Sequence, residues 1–253
     1  MSAEDAEQAP QRVPRFTLWR AVPATLLLIG TIAFFALDLD RYLSFEELGR
    51  HRDALLWWRD SHRLPTVLVF MSVYVLVVAL SVPGAIWLTI AGGFLFGVVA
   101  GTAYAVVAAT LGACAVFLAA RYLLGDILWA KAGSGIGKLE AGFREHALSY
   151  LLVLRLIPIV PFWLVNLVPA FVGVPLRTFF VGTALGIIPG SLVYTSVGNG
   201  LGVVIDEGET PDLGIIFAPE ILMPLLGLAL LALSPVFYRR LKQRKSTTDR
   251  EQP

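Results

Sequence analysis

The chain's candidate chemistry starts at one arginine set in an apolar stretch. In Leu154-Arg155-Leu156-Ile157-Pro158-Ile159-Val160-Pro161-Phe162-Trp163-Leu164-Val165-Asn166 the guanidinium is the only charged group, two prolines follow it, and an amide closes the run. A guanidinium grips a phosphate or carboxylate through parallel N–H···O bonds, and helix ends at a break offer N–H groups and a positive dipole end to the same anion. These residues therefore suit reception of an anion at membrane depth, with Arg155 as the main group, Asn166 as a second donor, and Pro158 and Pro161 opening the helix. Plainer roles compete. Arg155 could snorkel to an interface or cap carbonyls freed by Pro158, and Asn166 could close the hairpin with a structural hydrogen bond.

Other reactive groups do not assemble into a known catalytic pattern. Gly133-Ser134-Gly135-Ile136-Gly137-Lys138 imitates a phosphate loop, but Ala132 and Leu139 stand where the first glycine and the magnesium-holding Ser/Thr belong. His51, His62 and His146 lie in polar connections without paired-ligand spacing, so no metal is expected. Cys114 is the single cysteine, which excludes a disulfide framework, a CxxC pair and a cysteine metal cluster. With no Gly-x-Ser-x-Gly elbow either, the expectation is a protein that is not an enzyme and carries no cofactor.

The elements that must position Arg155 follow from where charge is missing. Of the 253 residues, 57% are hydrophobic and only 15% charged, and the mean hydropathy is +0.73. Soluble domains carry about a quarter charged residues, so this is an all-α integral membrane protein. A net charge of +1 argues against a nucleic-acid partner, which leaves membrane lipids as the expected company. Residues 21–39 and 221–238 each read as one transmembrane helix, since about 20 apolar residues span a bilayer. Leu64 to Ala120 runs 57 residues without a charge and is too long for one crossing. Ser81-Val82-Pro83-Gly84 and Ala91-Gly92-Gly93-Phe94-Leu95-Phe96-Gly97 divide it into two short pieces and a full span beginning at Val98.

The second half repeats that order. Leu148 to Ile157 and Phe162 to Val172 are short pieces separated by the prolines, and Thr178 to Val197 is a full span. Each unit has a glycine ladder, Gly93-x3-Gly97-x3-Gly101 and Gly182-x3-Gly186-x3-Gly190, which permits close helix approach. Broken segments at matching places in two halves point to a transporter-like site at the repeat interface. The predicted architecture is a polytopic bundle with two inverted re-entrant hairpins, since broken backbone at membrane depth survives only inside protein or beside a water cavity.

Charge asymmetry sets the expected orientation. With both hairpins re-entrant, 14 Lys and Arg fall inside and five outside, Arg155 being left uncounted in the membrane; with ordinary crossings the count is 10 against nine. The first arrangement obeys the positive-inside rule. It puts the 1–20 arm and the basic 239–253 tail in the cytoplasm of a cell whose plasma membrane holds the protein, and the acidic 203–220 loop outside. Between them, residues 40–63 read as an amphipathic helix on the outer surface, opened by a capping box at Ser44-Phe45-Glu46-Glu47. Ile136, Leu139, Phe143 and Ala147 suggest a second surface helix on the inside.

The string Arg155-Leu-Ile-Pro-x-x-Pro-Phe-x-x-x-Asn166, followed by Gly173, Phe179 or Phe180, and Thr183-x-x-Gly186-x-x-Pro189-Gly190, resembles the VTT domain of the DedA superfamily, in its SNARE-associated Golgi protein branch. Pro83-Gly84, Gly92-Gly93-x-x-Phe96-Gly97-x-x-x-Gly101 and Gly112-x-x-x-x-Phe117-x-x-x-Arg121 resemble its first half, and the likeness covers roughly residues 64–202. The resemblance implies facing re-entrant hairpins and movement of an anionic lipid, a polyprenyl phosphate or a phospholipid, between leaflets. The expected binding set is Arg155 and Asn166 with the broken ends at Pro158, Pro161, Pro83, Gly84, Gly92 and Gly93. Better-studied bacterial members carry acids within the first hairpin and a second arginine soon after the first. Here no Asp or Glu lies inside an apolar run, the nearest being Asp38 at the outer end of the first span, so passive movement fits the residues at least as well as proton coupling. Two other functions stay open: a secondary transporter of a small anionic solute, and a non-transporting membrane scaffold. A homo-oligomer is compatible with all three.

Overall fold

The computed structural model describes residues 29, 32, 36, 50–82, 84–131, 146–206 and 213–248, and among these every regular element is a helix. Helix α1 (Arg52–Ser61) meets α2 (Arg63–Ala79) at a corner of 117°. His62 occupies that corner, stacked on Trp58 at 4.4 Å, while its carbonyl accepts the Thr66 hydroxyl at 2.8 Å. Trp57 and Trp58 are 64% and 47% exposed. The Ser44 to Glu47 pattern lies outside the described residues.

Helix α2 buries one stripe, Thr66, Phe70, Tyr74 and Val78, each four residues from the last. It turns back through Ser81, a left-handed residue at φ 54°, into α3 (Ala85–Lys131). Tyr74 bolts the turn by contacting the Ala85 carbonyl at 3.2 Å and the Thr89 hydroxyl at 2.9 Å. Helix α3 is broken at Gly97, whose φ of 77° and ψ of 175° no side chain tolerates comfortably, so a short limb (85–96) precedes a long one (98–131). Both interruptions fall on the breakers read from the sequence, although Pro83 itself lies outside the described residues.

The second half shows the same alternation. Helix α4 (His146–Leu156) stops before Pro158, α5 (Phe162–Phe171) starts after Pro161, and Gly173 at φ 72° turns the chain into α6 (Leu176–Asp206). A 3-10 turn (Leu213–Phe217) leads to α7 (Pro219–Thr248). Ala147, expected on a separate surface helix, is buried at the start of α4; the other three residues of that expected helix lie outside the described residues.

Helices α3 and α6 share the most extensive interface, with α2 and α5 packed on α3. Small residues permit it. A Cβ on Gly93 would sit 2.6 Å from Thr195 Cα, and one on Gly198 would meet the Ile90 carbonyl, so the two helices touch backbone to backbone. Thr102 and Thr195 join the same crossing by a 2.8 Å hydroxyl contact. Gly97, read from the sequence both as part of a breaker and as a rung of a packing ladder, supplies the break.

Among the described residues two helical stretches, Ala85–Tyr122 and Leu176–Leu201, are long and apolar enough to cross a membrane, and a third is reached if the bent α1–α2 pair counts as one span. Leu64, Leu68 and Val69 on α2, Val181 and Leu185 on α6, and Leu230 and Leu231 on α7 point outward. Such apolar exposure would be a liability in water and is the ordinary condition in lipid.

Candidate functional site

Arg155 stands one residue before the end of α4, where the chain is about to break at Pro158. Its stem lies on α6 because Gly186 has no side chain; a Cβ there would come within 2.6 Å of Arg155 Cβ. That seat aims the guanidinium inward. Nη2 donates to Asn166 Oδ1 on α5 at 2.6 Å and to Thr183 Oγ1 on α6 at 3.0 Å. Asn166 and Thr183 are both fully buried, so one nitrogen ties three helices at their common centre. The orientation of the amide is dictated chemically, since a guanidinium has no acceptor to offer an NH2 group.

The rest of the group rests on aromatic rings. Its central carbon lies 4.6 Å from the Phe162 centroid and 5.7 Å from that of Phe179, which in turn stacks on Phe117 of α3 at 4.4 Å. Ring faces attract a desolvated cation by about 2 kcal/mol, less than the several kcal/mol that removing it from water costs. Among the described residues no carboxylate pairs with it. Three buried donor atoms, Arg155 Nε, Arg155 Nη1 and Asn166 Nδ2, have no hydrogen-bond partner. All are N–H donors. Each buried donor left unmade costs about 1–3 kcal/mol, so an acceptor, and best an anionic one, stabilises this centre. The geometry differs from both plainer roles for Arg155: the guanidinium turns into the bundle, and its hydrogen bonds go to two side chains.

The family model described as the VTT domain matches residues 82–200. Transmembrane protein 41B of chicken (Gallus gallus) is 30% identical over 193 residues, which cover 74% of this chain and 69% of that protein. This chain belongs to the VTT-domain family. The mouse (Mus musculus) protein of the same name is also 30% identical, and there the match spans 64% of its length, a little under two thirds. The transmembrane protein 41 homolog of Dictyostelium discoideum is 28% identical over 201 residues, 78% of this chain and 58% of its own. No solved structure is significantly similar.

Within the VTT domain the other expected binding residues fall elsewhere. Pro158 and Pro161 bound the tip between α4 and α5, where Ile159 is 75% exposed, and Pro161 caps α5 by accepting from the Leu164 amide at 3.0 Å. Gly92 and Gly93 belong to the other hairpin, packed against the Phe70 ring and the Thr195 backbone, and Gly84 lies at its turn. The structure thus brings Arg155 and Asn166 together and keeps the first hairpin's glycines at helix crossings. Thr183, Phe179 and Phe162 complete the centre without having been assigned a role from the sequence. One signal was available: Phe179, Thr183 and Gly186 follow at i, i+4 and i+7, a single face of a helix.

Proposed function

We propose that this VTT-domain membrane protein passes an anionic lipid between leaflets, with Arg155 receiving the headgroup phosphate at the α4–α5 hairpin. The observation that carries this reading is the buried guanidinium with Nε and Nη1 unpartnered beside the unpartnered Asn166 amide. A phosphate oxygen can accept from one of these guanidinium donors while another oxygen of the same group takes the amide. The lipid's tails need not follow the headgroup into the protein, because the outer faces of α2, α6 and α7 are already apolar. Purified protein in phosphatidylcholine liposomes carrying a fluorescent phosphatidylglycerol should expose inner-leaflet label to an external quencher much faster than protein-free liposomes do. Equal rates with correctly inserted protein would sink the proposal.

Movement should be passive. No carboxylate lies in the apolar runs to hold a transported proton, so collapsing the proton gradient across the liposome is expected to leave the rate within about twofold. Strict dependence on the gradient would refute this.

We further propose that both termini face the cytoplasm of a plasma membrane and that both hairpins are re-entrant. In a Cys114→Ala background, Ser134→Cys places one thiol in the connection between the halves. A membrane-impermeant maleimide should leave it unlabelled in intact cells and label it after permeabilisation. Labelling of intact cells would instead favour ordinary crossings.

A further inference from the structure

A second cationic feature lies apart from the Arg155 centre, at the α1–α2 corner. There a cavity of about 480 Å³ opens between that corner and the break in α3, lined among others by Arg59, Asp60, Arg63, Gly97, Tyr104 and Asn199. Two guanidiniums against one carboxylate leave it net positive. An amide and a phenol add neutral hydrogen-bonding groups. Gly97 keeps its wall low, since only the Asn199 side chain comes within 4 Å of where a Cβ would stand.

Arg59 is held here in a parked state. Its Nη1 donates to the Leu95 carbonyl at 3.0 Å, which anchors the side chain to the broken end of the short α3 limb. Its Nε and Nη2 both reach Asp60 Oδ1, at 2.8 and 2.7 Å. The two partners are unequally placed: the Arg59 side chain is 31% exposed and the Asp60 side chain 67%. An exposed ion pair of neighbours is worth little, about 0–1 kcal/mol, so the carboxylate can swing to water while Arg59 stays anchored at Leu95. What Asp60 vacates is a bidentate N–H edge facing the cavity, the geometry that matches a phosphate.

The surroundings name the source of that phosphate. Trp57 and Trp58 on α1, and Leu64 and Leu68 just beyond the corner on α2, are exposed, so the cavity sits where aromatic rings give way to apolar side chains. That boundary is headgroup depth. A lipid phosphate can enter there with its tails alongside α2.

We propose that this cavity is an entry station for the phosphate headgroup of a membrane lipid, bound by Arg59 and Arg63, with Asp60 as a built-in competitor that the headgroup displaces. The inference rests on the lipid-carrier reading above and adds a second site to it. Asp60 sets the affinity by occupying Arg59 when no headgroup is present, so the station releases what it binds.

The test uses the full chain in detergent micelles with Cys114→Ala and Ala100→Cys, Ala100 being a further residue of the cavity wall. Dihexanoyl phosphatidic acid is the probe, and the rate of maleimide alkylation is the readout. The short-chain lipid is expected to slow alkylation by about tenfold or more, and inorganic phosphate at the same concentration by less than about twofold. Arg59→Gln with Arg63→Gln should remove the protection. Asp60→Asn should bring half-protection at a several-fold lower lipid concentration, and this surface change keeps the test decisive if the double variant misfolds. Arg155→Ala should leave protection unchanged, so failure of the transport reading and failure of this one are told apart. The proposal is overturned by absence of protection, by equal protection from inorganic phosphate, by protection that outlasts both arginines, or by indifference to Asp60→Asn.

Discussion

Arg155→Ala should reduce lipid movement by about 10- to 100-fold, the loss that follows from removing charge-assisted hydrogen bonds worth about 1.5–3 kcal/mol. The protein should still insert, because the residue's stem rests on Gly186 without holding that contact through charge. Arg155→Lys is the sharper variant. A lysine can follow the same seat and supply the charge, yet its compact ammonium cannot donate to Asn166, Thr183 and a phosphate through one planar fork. Partial recovery is therefore expected. Rates must be normalised to inserted protein, with Arg177→Ala, an exposed cation at the start of α6, as the control. Full activity in Arg155→Lys together with unchanged movement in Arg155→Ala would end the claim that this group receives the headgroup.

The largest structural effect should come from Gly198. A methyl there would fall on the Ile90 carbonyl, 2.7 Å from its carbon and 3.0 Å from its Cα, and backbone cannot step aside as a side-chain tip can. Overpacking of this kind costs about 1–3 kcal/mol or more, so Gly198→Ala should lower the midpoint of thermal unfolding in detergent by several degrees. Gly198→Val should yield little folded protein. Gly200→Ala, two residues on and facing open space, should match the parent or slightly exceed it, since alanine is the better helix former. Equal midpoints for Gly198→Ala and Gly200→Ala would show that α3 and α6 do not meet as described.

Much of this fold was legible because lipid simplifies the code. Backbone groups in hydrocarbon must pair within helices, so a break has to announce itself chemically, and Gly97, Pro158, Pro161 and Gly173 do so. Arg155 and Asn166 were legible for the same reason, as polar groups where polarity is costly. What could not be read is the company they keep. Whether Thr183 points at Arg155 or at lipid depends on the rotation of α6, which is decided by Gly182 against Leu151 and Gly186 against the Arg155 stem. A glycine pattern says that something comes close and not what. Gly93, Gly97 and Gly101 share one spacing, yet the first meets the Thr195 backbone, the second breaks the helix, and the third lies against the Gly92 carbonyl. Arg59 was hidden differently, as one of several arginines in a polar connection whose role depends on a carbonyl 36 residues away.

The spacing along α6 also decides which helices it can seat. At Gly198 a Cβ would fall on the Ile90 carbonyl, at Gly186 it would come within 2.6 Å of Arg155 Cβ, and at Gly190 the nearest atom to a Cβ position is the tip of Ile216 at 3.7 Å. Helix α6 is thus seated closely on both sides of Gly190, against α3 toward one end and against α4 toward the other. Two different pairs of helices therefore depend on a missing side chain, α3 with α6 at Gly198 and α4 with α6 at Gly186, and a methyl at either place would part a different pair.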